Sequence, residues 1–271
     1  MDSHTLTAVI LGIVEGLTEF LPVSSTGHLI LATELLGFNA KEWEVFNVVV
    51  QLPAILAVVV LYWRTFVDVA HGALRGERDS LHFVRNVLVA FIPSAILGVL
   101  LKKKIDALME TPAVVAAALV VGGILILVIE RLARQGEYEP VSKLPLPKAL
   151  AVGVMQCLAM VPGMSRSAST IMGALTMGIN RKTAAEFSFF LAVPTMFGAT
   201  AKQLWDNRHE MASGAASVGW GDIAVGGLVS FVVSLVVIKF FVTYIGRHGF
   251  APFAWYRIVI GAGALVWLLG A

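Results

Sequence analysis

Long apolar stretches alternate with short polar ones along this chain, and the lengths of the apolar stretches predict the elements. A helix that crosses a bilayer needs about 20 mostly apolar residues, whereas runs of about 10 to 14 are more often re-entrant or buried. Six stretches are long enough: 45–63, 85–101, 111–129, 186–203, 222–245 and 252–270. Two regions fail the test. Residues 5–33 are broken by Glu15, Glu19 and Pro22, and residues 147–178 by Pro162, Gly163 and Arg166. A break at membrane depth survives only where it is packed in protein or lines an aqueous cavity. Each broken region therefore predicts a re-entrant helix–break–helix hairpin. The expected fold is an all-α integral membrane protein, one membrane domain over residues 1–271, with about six transmembrane helices and two re-entrant hairpins.

The pattern also repeats. At an offset of 141 residues, Gly12 falls on Gly153, Leu17 on Leu158, Ser24 on Ser165 and Gly37 on Gly178. Asn39 then falls on Asn180, Phe46 on Phe187 and Pro53 on Pro194, while Pro22 and Pro162 match with a one-residue slip. Two pseudo-repeats follow, approximately 5–130 and 146–271. One hairpin and three spans per unit give an odd span count, which inverts the second copy relative to the first. That plan places a site near the midplane, where the broken helices meet. The copies differ where charge sits. Glu15 aligns with Gln156, Glu19 with Met160 and Arg166 with Ser25, so acids and cation each occur once. One composite site is expected.

Composition strengthens the membrane reading. The chain is 58% hydrophobic and 14% charged, against about a quarter charged in soluble domains. Its mean hydropathy is +0.83. A net charge of +2, with no basic stripe, argues against nucleic acid as a partner. The single cysteine, Cys157, cannot form an intramolecular disulfide and reads as packing. The opening MDSH lacks the basic region of a cleavable signal, so the N-terminus is expected to be retained. The stretches 64–85 and 130–148, read as loops on one side, carry Arg64, Arg75, Arg78, Arg85, Arg131, Arg134, Lys143 and Lys148. Between them, on the other side, lie Lys102, Lys103 and Lys104; the imbalance favours the first two loops as cytoplasmic.

The chemistry concentrates in EGLTEFLPVSSTGH (15–28) and PGMSRSAST (162–170). Glu15 and Glu19, four apart, share a helix face, and two close carboxylates call for a cation or a proton between them. Pro22 ends that helix, Ser24, Ser25 and Thr26 supply hydroxyls, and His28, opening the next helix, is a proton carrier near neutral pH. In the second motif, small hydroxyl residues precede a helix whose N-terminus is an anion site. Arg166 adds a permanently charged fork suited to phosphate oxygens. Carboxylates, hydroxyls, an imidazole and an arginine around one cavity suit phosphoryl transfer, which is mostly positioning and charge stabilisation. Each group also has a plainer reading. SSTGH is equally a helix cap, His28 a hydrogen-bonded structural histidine, Arg166 an interfacial anchor, and Gln51 polar glue between helices. His71 and His82 read as loop residues.

The two motifs, in this order and spacing, resemble the signature stretches of the bacterial undecaprenyl-pyrophosphate phosphatase family associated with bacitracin resistance. LLGF near 35–38 and EFSFFLAVP at 186–194 extend the resemblance over essentially the whole chain. It implies a multi-pass enzyme of the bacterial plasma (inner) membrane that converts undecaprenyl diphosphate to undecaprenyl phosphate, recycling the lipid carrier of cell-wall polymers. It also implies a periplasm-facing site and a divalent cation, Mg2+ or Ca2+. By resemblance the acidic pair is Glu15 and Glu19, the serine–threonine turn Ser25 and Thr26, and the histidine His28. The second motif supplies Ser165, Arg166 and Thr170. One departure is visible: the family usually has SRSG where this chain has Ser165-Arg166-Ser167-Ala168.

The expected catalytic set is Glu15, Glu19, Ser25, His28 and Arg166. Phosphate is expected on Ser24, Thr26, Ser165, Ser167 and Thr170, and the metal on Glu15 and Glu19. The attacking group is either Ser25, activated by His28 or a glutamate, or a water activated the same way. Expected partners are a polyprenyl diphosphate lipid and the bilayer, with a homodimer left open. A polyprenyl-phosphate flippase using the same headgroup site is the alternative.

Overall fold

In the computed structural model, residues 3–38, 43–133, 136, 139–206, 208 and 218–270 are described, and helix is their dominant regular structure. The first half runs α1 (Ser3–Thr18), α2 (Ser25–Leu35), α3 (Glu44–Val49), α4 (Gln51–Leu61), α5 (Trp63–Leu74), α6 (Arg78–Leu100), α7 (Lys102–Met109) and α8 (Pro112–Leu132). The second half runs α9 (Leu146–Gln156), α10 (Arg166–Thr176), α11 (Arg181–Asp206), α12 (Trp220–His248) and α13 (Ala251–Gly270). Six helical stretches are long and apolar enough to cross a membrane: Glu44–Leu61, which joins α3 to α4, then α6, α8, α11, α12 and α13. They coincide with the six expected spans.

Between the spans the sequence reading needs correction. Residues 64–85, expected as a loop, form α5 and the first two turns of α6, so His71 and His82 lie on helices. Lys102 to Lys104 open α7 instead of lying in a loop. Hydropathy marks where lipid can be, not where the helix stops, and Lys and Arg are good helix formers. Asn39 and Arg134 lie outside the described residues.

Both broken regions are pairs of short helices packed on each other, α1 on α2 and α9 on α10. Pro22 explains the first break: it lacks an N–H and disfavours helix at the residue before it. The break is sealed by protein. Phe20 is fully buried, its ring 5.5 Å from that of Phe189 on α11. Ser24 and Ser165, equivalent at the 141-residue offset, are the only described non-glycine residues with positive φ, 72° and 76°. Each then caps the helix that follows, Ser24 Oγ accepting from the Gly27 N–H and Ser165 Oγ from the Ala168 N–H. Residues held in such sparsely populated conformations concentrate where a site over-determines them. Ala168 itself is helical and buried, so no left-handed residue is needed at that position.

The packing is paired across the halves. α1 lies along α12 and α9 along α6, α4 lies against α12 and α11 against α6, and α8 pairs with α13. Gly12 and Gly153 permit the first two contacts. A Cβ on Gly12 would sit 2.4 Å from the Gly226 carbonyl oxygen, and one on Gly153 would sit 2.3 Å from that of Ala90. Gly12→Ala and Gly153→Ala should each lower the melting temperature in detergent, because overpacking against backbone costs about 1–3 kcal/mol. Unchanged melting would mean that these helices part without cost.

Candidate functional site

The two breaks face each other, and a polar cluster forms where they meet. Glu19 lies just beyond α1, its N–H still bonded to the Glu15 carbonyl, and its side chain is almost fully buried. One carboxylate oxygen, Oε2, accepts the Ser25 hydroxyl at 2.5 Å. The other, Oε1, accepts Arg166 Nη2 at 2.8 Å. The arginine is fixed from behind by Ser188 on α11, its Nη1 donating to the Ser188 carbonyl at 2.9 Å and hydroxyl at 3.1 Å. Arg166 Nε is buried without a partner, a spare donor on the fork. Glu19 of the first motif and Arg166 of the second are therefore in direct contact.

The hydroxyls divide into those that build the cluster and those that line its surroundings. Ser165 Oγ and Ser167 Oγ are 3.0 Å apart, and Ser167 donates across the halves to the Leu21 carbonyl at 2.7 Å. Thr170 Oγ1 lies 2.7 Å from Ser188 Oγ and 2.9 Å from the Arg166 carbonyl. Ser24 is occupied as a cap. Thr26 stands apart from the cluster, bordering a cavity of about 470 Å³ with Glu34, Asn47, Gln51 and Asp106. Gln51 borders this cavity, its Nε2 donating to the Asn47 carbonyl at 3.0 Å. The second motif does not wholly precede its helix: α10 begins at Arg166, so the N–H groups of its first turn point into the break.

His28 lies inside α2 rather than opening it, because the helix starts at Ser25. Its Nδ1 is 2.7 Å from the Ser24 carbonyl and its Nε2 2.9 Å from the Tyr256 hydroxyl, with the two rings stacked at 5.5 Å. A carbonyl only accepts, so Nδ1 carries the proton and, in the neutral ring, Nε2 accepts from Tyr256. The hydroxyl of Ser25 turns to Glu19, not to His28. Tyr256→Phe keeps the stacked ring and releases Nε2. It should lower turnover about five-fold, the worth of one neutral hydrogen bond near 1 kcal/mol, with melting unchanged. A wild-type rate would mean that the tyrosine hydroxyl has no bearing on the histidine's role.

Glu15 is fully buried beside Glu19 and Ser25, and no donor is seated on either of its carboxylate oxygens in hydrogen-bond geometry. A hard divalent cation bound by one or two carboxylates plus substrate phosphates would satisfy both. No group of three His, Cys, Asp or Glu side chains is placed to hold a metal among the described residues. Two carboxylates, Glu15 and Glu19, are too few for a closed protein cage.

Three contributors were not anticipated from the sequence. Ser188 lies within EFSFFLAVP, where a hydroxyl amid aromatic residues was the only signal. Tyr256 carried none. Arg257 did: it is a charge inside the 252–270 span, the kind of residue that marks function by default. It is completely buried and donates to five main-chain carbonyls, those of Leu119, Pro22, Met164, Ala118 and Gly163.

Comparison with known proteins shows the family. Residues 8–263 match the family model described as bacitracin resistance protein BacA. An undecaprenyl-diphosphatase of Novosphingobium aromaticivorans is 65% identical over 97% of both chains. Proteins of the same name from Rhizorhabdus wittichii and a Bradyrhizobium species are 54% and 46% identical, over 99% and 98% of both chains. With residues of both motifs meeting in one buried cluster and the match running nearly from end to end, this chain belongs to the bacitracin resistance protein BacA family.

Proposed function

We propose that this protein is a membrane phosphatase that hydrolyses undecaprenyl diphosphate to undecaprenyl phosphate and inorganic phosphate, recycling the lipid carrier for wall polymers and so conferring bacitracin resistance. The observation that carries the reading is the buried Ser25–Glu19–Arg166 chain, a hydroxyl, a carboxylate and a cation at 2.5 and 2.8 Å. Identity of 46–65% to relatives named undecaprenyl-diphosphatase supports the substrate. Nothing in the site favours a flippase, which has no use for a hydroxyl held on a carboxylate.

The contacts support Ser25 as the attacking group. Its oxygen bonds to the terminal phosphorus as the bond to the bridging oxygen breaks; undecaprenyl phosphate leaves, and the serine proton passes to Glu19. Water then cleaves the phosphoserine, one of its protons passing to a carboxylate and the serine oxygen recovering its own. Arg166, with its spare Nε, and the N–H groups opening α10 hold the equatorial oxygens. Ser165, Ser167 and Thr170 shape that turn more than they touch phosphate. Glu15, with Glu19 as the nearest carboxylate in sequence, would hold Mg2+ or Ca2+, which when bound neutralises phosphate charge.

The two halves are proposed to be inverted repeats, and the broken pairs re-entrant. Supporting this are the matched positive-φ serine caps, the paired contacts of α1 with α12 and α9 with α6, and the shortness of α1 and α9, 16 and 11 residues. The protein sits in the bacterial plasma membrane. The Lys and Arg imbalance supports a site opening to the periplasm.

The test is phosphate release from undecaprenyl diphosphate by purified protein in detergent, with and without chelator. Release that chelation abolishes and Mg2+ or Ca2+ restores is expected. No release by folded protein with metal present would overturn the phosphatase, and release unaffected by chelation would remove the cation.

A further inference from the structure

Arg257 on α13 belongs to neither motif, yet it touches both breaks. A guanidinium has five N–H groups, and all five are used here: Nε to Leu119 O at 3.3 Å, Nη1 to Pro22 O at 3.1 Å and Met164 O at 3.0 Å, Nη2 to Ala118 O at 3.2 Å and Gly163 O at 2.7 Å. Pro22 lies two residues before Ser24. Gly163 and Met164 immediately precede Ser165. The arginine is thus bonded just upstream of both strained serine caps, and it anchors them to the middle of α8. One glycine clears its seat, and another lets the second break close on α8. A Cβ on Gly122 would lie 1.9 Å from Arg257 Nη2, and one on Gly163 would lie 2.3 Å from the Val115 carbonyl.

Packing alone does not account for such a residue. A charge with its hydrogen bonds satisfied only by neutral carbonyls at membrane depth is expensive, and an apolar side chain would fill the volume at less cost. What a saturated guanidinium supplies, and an apolar residue cannot, is a fixed distance between main-chain segments from three places in the sequence. Carbonyls at both breaks are fixed by the same planar group. The Ser25–Glu19 pair hangs from one break and Arg166 from the other.

Resting on the phosphatase reading, we propose that Arg257 is a positioning residue: it holds the two helix breaks in register so that Ser25, Glu19 and Arg166 converge on one phosphate. It makes no contact with the reacting atoms. Misplacing such groups by about 1 Å costs on the order of 100-fold in rate. The loss should fall on kcat, because KM draws on a lipid tail that the breaks do not hold.

The experiment compares wild type with Arg257→Lys and Gly122→Ala in steady-state phosphate release, alongside melting temperature and elution profile in detergent. Lysine keeps the charge but cannot bridge five carbonyls. Gly122→Ala keeps the arginine but obstructs its seat. For each, kcat is expected to fall about 100-fold with KM within three-fold and the protein still folded. The double variant should be scarcely worse than the worse single one, since both act through the same contact. Folded variants with wild-type kcat would overturn the proposal, as would losses confined to KM or to the folded fraction. Should Arg257→Lys fail to fold, Gly122→Ala decides alone. An inactive wild type would instead remove the phosphatase reading itself.

Discussion

Glu19→Gln should lower phosphate release by about a thousand-fold or more, the upper part of the range for removing a general base. Glutamine is nearly isosteric but cannot take the Ser25 proton, and it withdraws the charge facing Arg166. Both side chains of that pair are about nine-tenths buried or more, at 4% and 10% exposure. Breaking a buried pair by removing one partner costs about 3–5 kcal/mol, because the remaining charge is left uncompensated. Melting should therefore fall together with activity, and Glu19→Asp should recover folding before it recovers rate. Full turnover by Glu19→Gln, assayed as phosphate release per folded protein, would take the proton-accepting role away from this residue.

Arg166→Lys should cost about 100- to 1000-fold in kcat, comparable to the loss of a main transition-state donor. The charge is kept, so the Glu19 pair can persist and the fold should survive. What is lost is the fork: Nη1 on Ser188, Nη2 on Glu19 and the spare Nε are three directions that one ammonium on a flexible stem cannot reproduce. Ser188→Ala should give a weaker version of the same defect. An Arg166→Lys enzyme working at the wild-type rate would show that only charge, not geometry, is needed at this position.

The spans were legible because hydropathy and the thickness of a bilayer leave little choice over about 20 apolar residues. The breaks were legible from Pro22, Pro162 and Gly163, and the meeting of Glu19 with Arg166 from their one-sided occurrence in the repeat. α5 was not legible: its charged residues suggested a loop, though they favour helix as readily as water. The partner of Ser25 was equally hidden. Sequence spacing places Glu15, Glu19 and His28 at comparable reach, and only the fold turns His28 back to Ser24 and across to Tyr256. Arg257 could have been noticed as a charge in a lipid-length span. Its partners could not, since five main-chain carbonyls leave no signature in side chains.

The central claim is that the acidic half and the cationic half form one phosphate site that performs hydrolysis. A double-mutant cycle on phosphate release from undecaprenyl diphosphate, using wild type, Glu19→Gln, Arg166→Lys and the double variant, tests it most directly. Groups acting as a unit lose their function together, so the double variant is predicted to be within about three-fold of the worse single one. If the two losses instead multiply, or wild type releases no phosphate while folded and supplied with metal, the two halves do not form one hydrolytic site.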